Sequence, residues 1–115
     1  MRFVPDETAA AWLRDFISEP DAFDWDAGNR TKNAKHGVRE EEVESIFRQE
    51  KFLFAGRIVD PPHAEWRGLI LGRGDSGRNL ALIFTRRQAR LRPISCRPMR
   101  PEERRLYEAS IQEHS

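Results

Sequence analysis

The spacing of apolar residues changes near Lys51, and this change limits the fold classes that the chain can adopt. Before Lys51, apolar side chains recur every three or four residues, as on one face of a helix. After it, they alternate loosely, as along strands. The sequence therefore predicts an α+β protein. In this fold an antiparallel β-sheet meander packs against N-terminal helices and is followed by a C-terminal helix.

Helical spacing before the change predicts two helices and a third helix-permissive segment. The first helix begins near Asp6 and ends before Pro20, and its apolar stripe consists of Trp12, Leu13, Phe16 and Ile17. Another helix is expected over residues 39–49, and Gly37 fits the end of a polar helical segment over 28–36. We expect residues 1–20 to form an amphipathic extension of a domain that comprises residues 21–115.

Alternating segments after the change predict a four-stranded meander. The predicted strands are residues 51–59, 65–73, 79–86 and 90–97. The run Leu80–Phe84 is apolar on both faces, so its strand should be internal in the sheet. Residues 22–26 are short and aromatic and predict an additional edge strand, and Pro101 begins the last helix.

The composition excludes several classes of protein and of site. A single cysteine, Cys96, excludes an internal disulfide and a multi-cysteine zinc site, and we expect a buried, inert thiol. The three histidines are scattered without metal-ligand spacing, so the sequence predicts no metal and no cofactor. The longest apolar run, Leu80–Phe84, is too short for a membrane span or a secretory signal, so a cytoplasmic protein without a membrane partner is expected.

Positive charge is concentrated in the second half of the chain. Residues 65–100 carry nine Arg against two acidic residues, whereas residues 1–27 have a net charge of −5. Arg grips phosphate with two parallel hydrogen bonds, so this segment favours a polyanionic partner such as nucleic acid. A GC-rich coding sequence explains the 17 Arg and 3 Lys of the whole chain equally well, but it explains the local excess less well.

Two pairs of charged residues could form a site on the sheet. Residues two apart in a strand share a face, so Glu65 and Arg67 should project together. Arg90 and Arg92 should do the same if no bulge intervenes, while Trp66 should face the opposite side. Such arginines could clamp a phosphate in RNA cleavage. The alternative is that these side chains pair with charges on neighbouring strands of a solvated face.

Proton transfer in such a reaction has three candidate groups: Glu65, His36 and His63. His is suited to proton transfer near neutral pH. However, His36 precedes Gly37 at a helix end, where it can complement the helix dipole, and His63 lies in a proline-rich loop typical of the surface.

Short motifs occur in a specific order along residues 22–109. They include Phe23-Asp24-Trp25-Asp26, Asn33-Ala34-Lys35-His36-Gly37-Val38, Glu65-x-Arg67, Arg90-Leu91-Arg92 and Glu103-Arg104-Arg105. In order and spacing, this set resembles the BrnT ribonuclease toxins of BrnT/BrnA type II toxin–antitoxin systems.

The resemblance implies a RelE-like fold and a metal-independent endoribonuclease that cleaves RNA and inhibits translation. It also implies a BrnA-like ribbon-helix-helix antitoxin as partner, and a homodimer and a toxin–antitoxin heterotetramer both remain open. The active surface that it implies comprises Glu65, Arg67, Arg90, Arg92 and Arg97, and the first four are the expected catalytic residues. Arg97 is expected to bind RNA, together with Lys35, Arg73 and Arg86. His36 and Lys51 are secondary candidates.

Two positions depart from the family pattern. Pro93 replaces an aliphatic strand residue and removes a backbone donor, which fits an edge strand or a bulge. Gly68 stands where the family often has a bulky residue. A non-catalytic module that binds nucleic acid or protein on the same fold is therefore the alternative function.

Overall fold

A computed structural model describes residues 1–49 and 51–113, and it places five strands in one antiparallel sheet. The strands are β1 (Arg2–Val4), β2 (Leu53–Asp60), β3 (Gly68–Arg73), β4 (Asn79–Arg87) and β5 (Arg90–Pro98). Each strand pairs with the next in chain order. The predicted meander is confirmed, and β1 is a fifth strand that sequence spacing did not predict. The end of the predicted domain, at residue 115, lies outside the described residues.

Within the described residues, four α-helices accompany the sheet. They are α1 (Glu7–Arg14), α2 (Ala27–Ala34), α3 (Glu40–Ser45) and α4 (Pro101–Glu113). A 3₁₀ turn over Ile46–Arg48 extends α3, so the helix predicted over 39–49 is confirmed in outline. Within residues 1–49 and 51–113, no helix is long and apolar enough to cross a membrane.

Two predictions near the N-terminus are wrong in detail. The first helix ends at Arg14, so Ile17 lies beyond it and is 69% exposed rather than part of a buried stripe. Residues 22–26 do not form a strand, because only Phe23 makes a parallel bridge, with Leu91 of β5. Trp12 is half-buried and packs on Phe16, with ring centroids 5.3 Å apart.

Both faces of the sheet are covered, because β3 and β4 carry apolar side chains on both. One core lies between the sheet and the segments that contain α1 and α3, and its fully buried members include Val43, Ile46, Ile70, Leu80 and Leu82. The other lies against α4 and includes Ile58, Leu69, Leu71, Ala81 and Tyr107. The apolar run in β4 therefore packs on both sides, as its sequence predicts.

The segment that contains β1 joins the sheet through a close backbone contact at Gly56. This residue has φ +143°, and β1 pairs antiparallel with β2 beside it. A Cβ atom at position 56 would lie 2.4 Å from the carbonyl oxygen of Val4. Only glycine therefore allows the two strands to approach this closely.

An ion pair between β5 and α4 holds the C-terminal helix on the sheet. The Arg97 guanidinium donates to both carboxylate oxygens of Glu103, at 2.7 and 2.9 Å, and the backbone N–H of Arg100 donates to the same carboxylate at 2.8 Å. Burial opposes the charge of Glu103, but these hydrogen bonds more than offset it and lower its pKa.

Replacing Gly56 by Ala should detach β1 and lower the free energy of unfolding. The new methyl group would overlap the Val4 carbonyl, so we expect a loss of about 1–3 kcal/mol beyond the backbone strain of a positive φ. Gly77→Ala is the control, because Gly77 also has a positive φ (+88°) but its Cβ would meet no atom within 4 Å. Urea unfolding measures both, and equal losses would contradict the role of this contact.

Stability should also fall in acid through Glu103. Its pKa in the folded protein lies below the ordinary value of 4.5, so the ionised pair stabilises the fold above about pH 4.5. This contribution is lost as the pH falls through the folded-state pKa. Glu103→Gln should flatten the decline in melting temperature between about pH 6 and about pH 3.

The control for this measurement is Glu108→Gln, because Glu108 lies on the same helix but its side chain is 59% exposed. Its pH profile should match that of the unaltered protein. A Glu103→Gln profile as steep as the control's would contradict the assignment.

Candidate active site

An open cavity of about 220 Å³ lies between α2, the loop before β3, and β4 and β5. We call it the arginine cavity, and its lining residues are Gly28, Asn29, Lys32, Glu65, Arg67, Arg87, Arg92 and Ile94. The structure thus brings together three of the four residues that the resemblance implies as catalytic. Glu65 and Arg67 share this cavity as predicted, although they precede β3 instead of lying within a strand over 65–73.

Trp66 separates these two residues in sequence and lines a different cavity, so its predicted opposite orientation is confirmed. The hydroxyl of Thr85 donates to the carbonyl oxygen of Trp66 at 2.6 Å. This bond ties the loop over residues 61–67 to β4. The backbone between Glu65 and Arg67 is therefore attached to the sheet.

Glu65 pairs with Arg87, which sequence reasoning missed as a site residue. The Arg87 guanidinium donates to the Glu65 carboxylate at 2.9 Å. This hydrogen bond lowers the pKa of Glu65 against the opposing effect of burial. Side chains alternate along β4, so Arg87 lies on the same face of the sheet as Ile83 and Thr85. This alternation is the sequence signal that could have identified Arg87.

Two aspartates hold Arg92 in the cavity. Its guanidinium lies 2.9 Å from the Asp26 carboxylate and 3.6 Å from that of Asp24, and the side chain is only 14% exposed. Asp26 also accepts from the backbone N–H groups of Gly28 and Asn29 and so caps α2. The N–H of Asn29, and then Arg92, lower the pKa of Asp26. The start of α2 and the position of Arg92 therefore depend on one carboxylate.

Arg67 has a buried donor that nothing in the described part of the chain satisfies. Its Nε is fully enclosed and lacks a hydrogen-bond partner among residues 1–49 and 51–113. A buried donor without an acceptor costs about 1–3 kcal/mol. Because Nε is enclosed, a ligand in the cavity would be held by the terminal nitrogens of this guanidinium, whose fork suits a phosphate.

Buried asparagines attach α2 to the edge of the sheet, and sequence reasoning missed their role. The Asn29 side chain donates to the carbonyl of Pro93 at 2.9 Å, and Asn33 accepts from the N–H of Cys96 at 2.9 Å. These residues are four apart and therefore share one face of α2. Cys96 is buried as predicted, and burial raises the pKa of its thiol to about 12, which disfavours the reactive thiolate.

The expected bulge and edge position of Pro93 are also confirmed. β5 is an edge strand, and its register against β4 shifts so that Ile83 pairs with Ser95 while Phe84 pairs with Pro93. The extra residue, Ile94, then lines the arginine cavity. Arg90 lies opposite Arg87 at the end of the hairpin, is exposed, and is outside the cavity.

The remaining candidate residues are dispersed over the surface. Lys35 and His36 are exposed at the end of α2, and His63 is exposed in its loop. Arg73 and Lys51 line a separate cavity beside Tyr107. None of these five lines the arginine cavity.

The other two RNA-binding candidates, Arg86 and Arg97, have different surroundings. Arg86 lies over the ring of Trp12, with 5.0 Å between the guanidinium carbon and the ring centroid. Arg97, which was expected to bind RNA, pairs with Glu103 in a mostly buried ion pair and lies outside the arginine cavity. In the described part of the chain, no three His, Cys, Asp or Glu side chains are grouped so that they could hold a metal ion.

Comparison with known proteins agrees with the resemblance noted from the motifs. A family model described as the ribonuclease toxin BrnT of type II toxin–antitoxin systems matches residues 25–103. No curated protein matches the sequence. The match includes every residue that lines the arginine cavity, whereas β1 and α1 precede it. Since it covers more than half of the chain, the chain belongs to the BrnT family of ribonuclease toxins of type II toxin–antitoxin systems.

Proposed function

We propose that the chain is an endoribonuclease that needs no metal ion and binds the scissile phosphate of RNA in the arginine cavity. Its cleavage of RNA inhibits translation. The observation that carries this proposal is the convergence of Arg67, Arg87 and Arg92, with one enclosed Nε lacking an acceptor. The RelE-like character of the sheet is part of the proposal, and the five-stranded antiparallel meander supports it.

The arginines act on the charge of the transition state. When the ribose 2′ oxygen attacks phosphorus, the phosphorane carries more negative charge than the ground-state phosphodiester. Guanidinium groups held in place before the reaction stabilise this additional charge preferentially. Arg92 is held by Asp24 and Asp26, and the Nε of Arg67 is enclosed by the surrounding chain, so both guanidinium groups are already positioned.

Glu65 is the proposed general base. It takes the proton of the 2′ hydroxyl as the new O–P bond forms, and the bond from phosphorus to the 5′ oxygen breaks. The products are a 2′,3′-cyclic phosphate and a 5′ hydroxyl. Lys32, the ammonium group that lines the cavity, is the proposed proton donor to the leaving 5′ oxygen. The exposed Arg90, outside the cavity, is proposed to bind the flanking backbone.

Replacing Arg67 by Ala should abolish toxicity while the fold remains intact. Loss of one preorganised donor typically lowers the rate about 100- to 1000-fold. Arg92→Ala should have a similar effect on cleavage. The measurement is cleavage of a labelled RNA by each purified variant in EDTA, with a melting curve for each.

The control is Arg104→Ala, because Arg104 is 59% exposed on α4 and lies outside the arginine cavity. It removes the same charge from the chain and should cleave normally. Full activity of both the Arg67 and Arg92 variants would refute the assignment of the cavity.

Glu65→Gln separates an enzyme from a module that only binds. If Glu65 is the base, cleavage should fall far more than RNA affinity. If Glu65 only holds Arg87, affinity and cleavage should change together. A protein that retards RNA without cutting it would favour the non-catalytic function.

We further propose that a ribbon-helix-helix antitoxin covers the arginine cavity with acidic side chains. Opposite charges accelerate association, and salt screens them. The association rate with the antitoxin should therefore fall as salt increases, as measured by stopped-flow mixing. Arg67→Ala should show a weaker salt dependence than Arg104→Ala, and a rate that salt leaves unchanged would contradict a charged contact.

A further inference from the structure

We infer that a second cavity, between α1 and the sheet, binds a guanine base of the RNA and so gives the enzyme a sequence preference. This inference rests on the proposed function for the identity of the ligand. The cavity has a volume of about 390 Å³, and we call it the indole cavity. Its lining residues are Asp6, Thr8, Ala9, Trp12, Trp66, Phe84, Thr85 and Arg86.

Half of the indole cavity comes from residues outside the family match. Asp6, Thr8, Ala9 and Trp12 belong to the N-terminal segment, which precedes residue 25. The other half comes from the matched domain. The N-terminal segment therefore adds a surface that the matched domain alone would lack.

Flat, electron-rich surfaces make this cavity suitable for a nucleobase. The indoles of Trp12 and Trp66 both line it, and the ring of Trp66 packs edge-on against Phe84 at 5.5 Å. The Arg86 guanidinium already lies over the Trp12 ring. Bases stack on such rings and on planar guanidinium groups, and the neighbouring positive charge attracts the RNA backbone.

Asp6 provides the polar group that would select guanine. One of its carboxylate oxygens accepts from the N–H of Ala9 at 3.1 Å and the other accepts from Trp66 Nε1 at 2.9 Å, so the carboxylate is fixed at the cavity. A carboxylate has about four acceptor positions, which leaves room for further donors. Guanine presents two adjacent N–H groups on one edge, whereas uracil presents one.

The indole cavity and the arginine cavity are lined by residues that are adjacent in sequence. Trp66 lines the first, while its neighbours Glu65 and Arg67 line the second. Likewise, Arg86 lines the indole cavity and Arg87 lines the arginine cavity. Because neighbouring residues alternate in direction, the two cavities lie on opposite sides of the same chain segments.

The test uses short oligonucleotides with 2′-O-methyl riboses, which the proposed reaction cannot cleave. Binding of fluorescent guanine-containing and uracil-only oligonucleotides is measured by anisotropy at fixed salt. The unaltered protein should prefer guanine. Trp12→Leu should weaken guanine binding roughly 5- to 150-fold, the usual effect of losing one stacked base. Asp6→Asn should reduce the preference between the two oligonucleotides.

Two further variants distinguish loss of base binding from loss of folding. Arg86→Gln changes an exposed residue and should also weaken guanine binding without lowering the melting temperature. Trp25→Leu is the matched control, because Trp25 donates to Glu44 and lines neither cavity. It should retain the preference for guanine.

Each outcome decides between the two proposals. If Trp12→Leu and Arg86→Gln retain normal affinity and preference, the indole cavity does not bind the base, and RNA cleavage by the protein would leave the ribonuclease proposal standing. If guanine binding depends on Trp12 but no RNA is cut, the inference holds and the ribonuclease proposal fails. Equal losses for both oligonucleotides would overturn the choice of guanine. Loss of antitoxin binding alone would identify a protein-docking site and overturn the inference.

Discussion

The alternation of side chains along β4 is the constraint on which the rest of the structure depends. Leu82 and Phe84 face the side of α1 and α3, while Ala81 and Ile83 face the side of α4. Because both faces are buried, a shift of one residue in register would place every side chain on the wrong side. The same alternation continues past the core, where it assigns successive arginines to two different cavities.

Carboxylates make it possible to concentrate arginines in one cavity. Glu65 neutralises Arg87, while Asp24 and Asp26 neutralise Arg92 and leave its guanidinium nearly enclosed. Such pairs on a partly exposed surface add little to stability, but they fix the geometry of the charges. Asp26 also caps α2, so the helix that forms one wall of the cavity and the arginine inside it are positioned together.

The sequence predicted the elements that contain many periodic apolar residues. It did not predict the elements whose formation depends on a single contact. The four long strands and α4 follow from alternation and from Pro101, whereas β1 has three residues and depends on the close approach at Gly56. Three expected residues, Glu65, Arg67 and Arg92, line the cavity, but the rest of its membership was not predicted. Arg87 rather than Arg90 lines the cavity, and alternation could not distinguish the two because they pair opposite each other at the end of the β4–β5 hairpin. The partner of Arg97 lies on α4, whose docking no local pattern could specify.

The pairing of Glu65 with Arg87 has opposite effects on the proposed reaction. Arg87 lowers the pKa of Glu65, which keeps the base ionised at neutral pH but also reduces its affinity for the proton. When Glu65 takes the proton of the 2′ hydroxyl, its charge disappears, and its attraction for Arg87 weakens at the same moment. The guanidinium then becomes available to the phosphorane as negative charge builds up there. The loss of basicity is thus offset by a cation that is released to the phosphate in the same step.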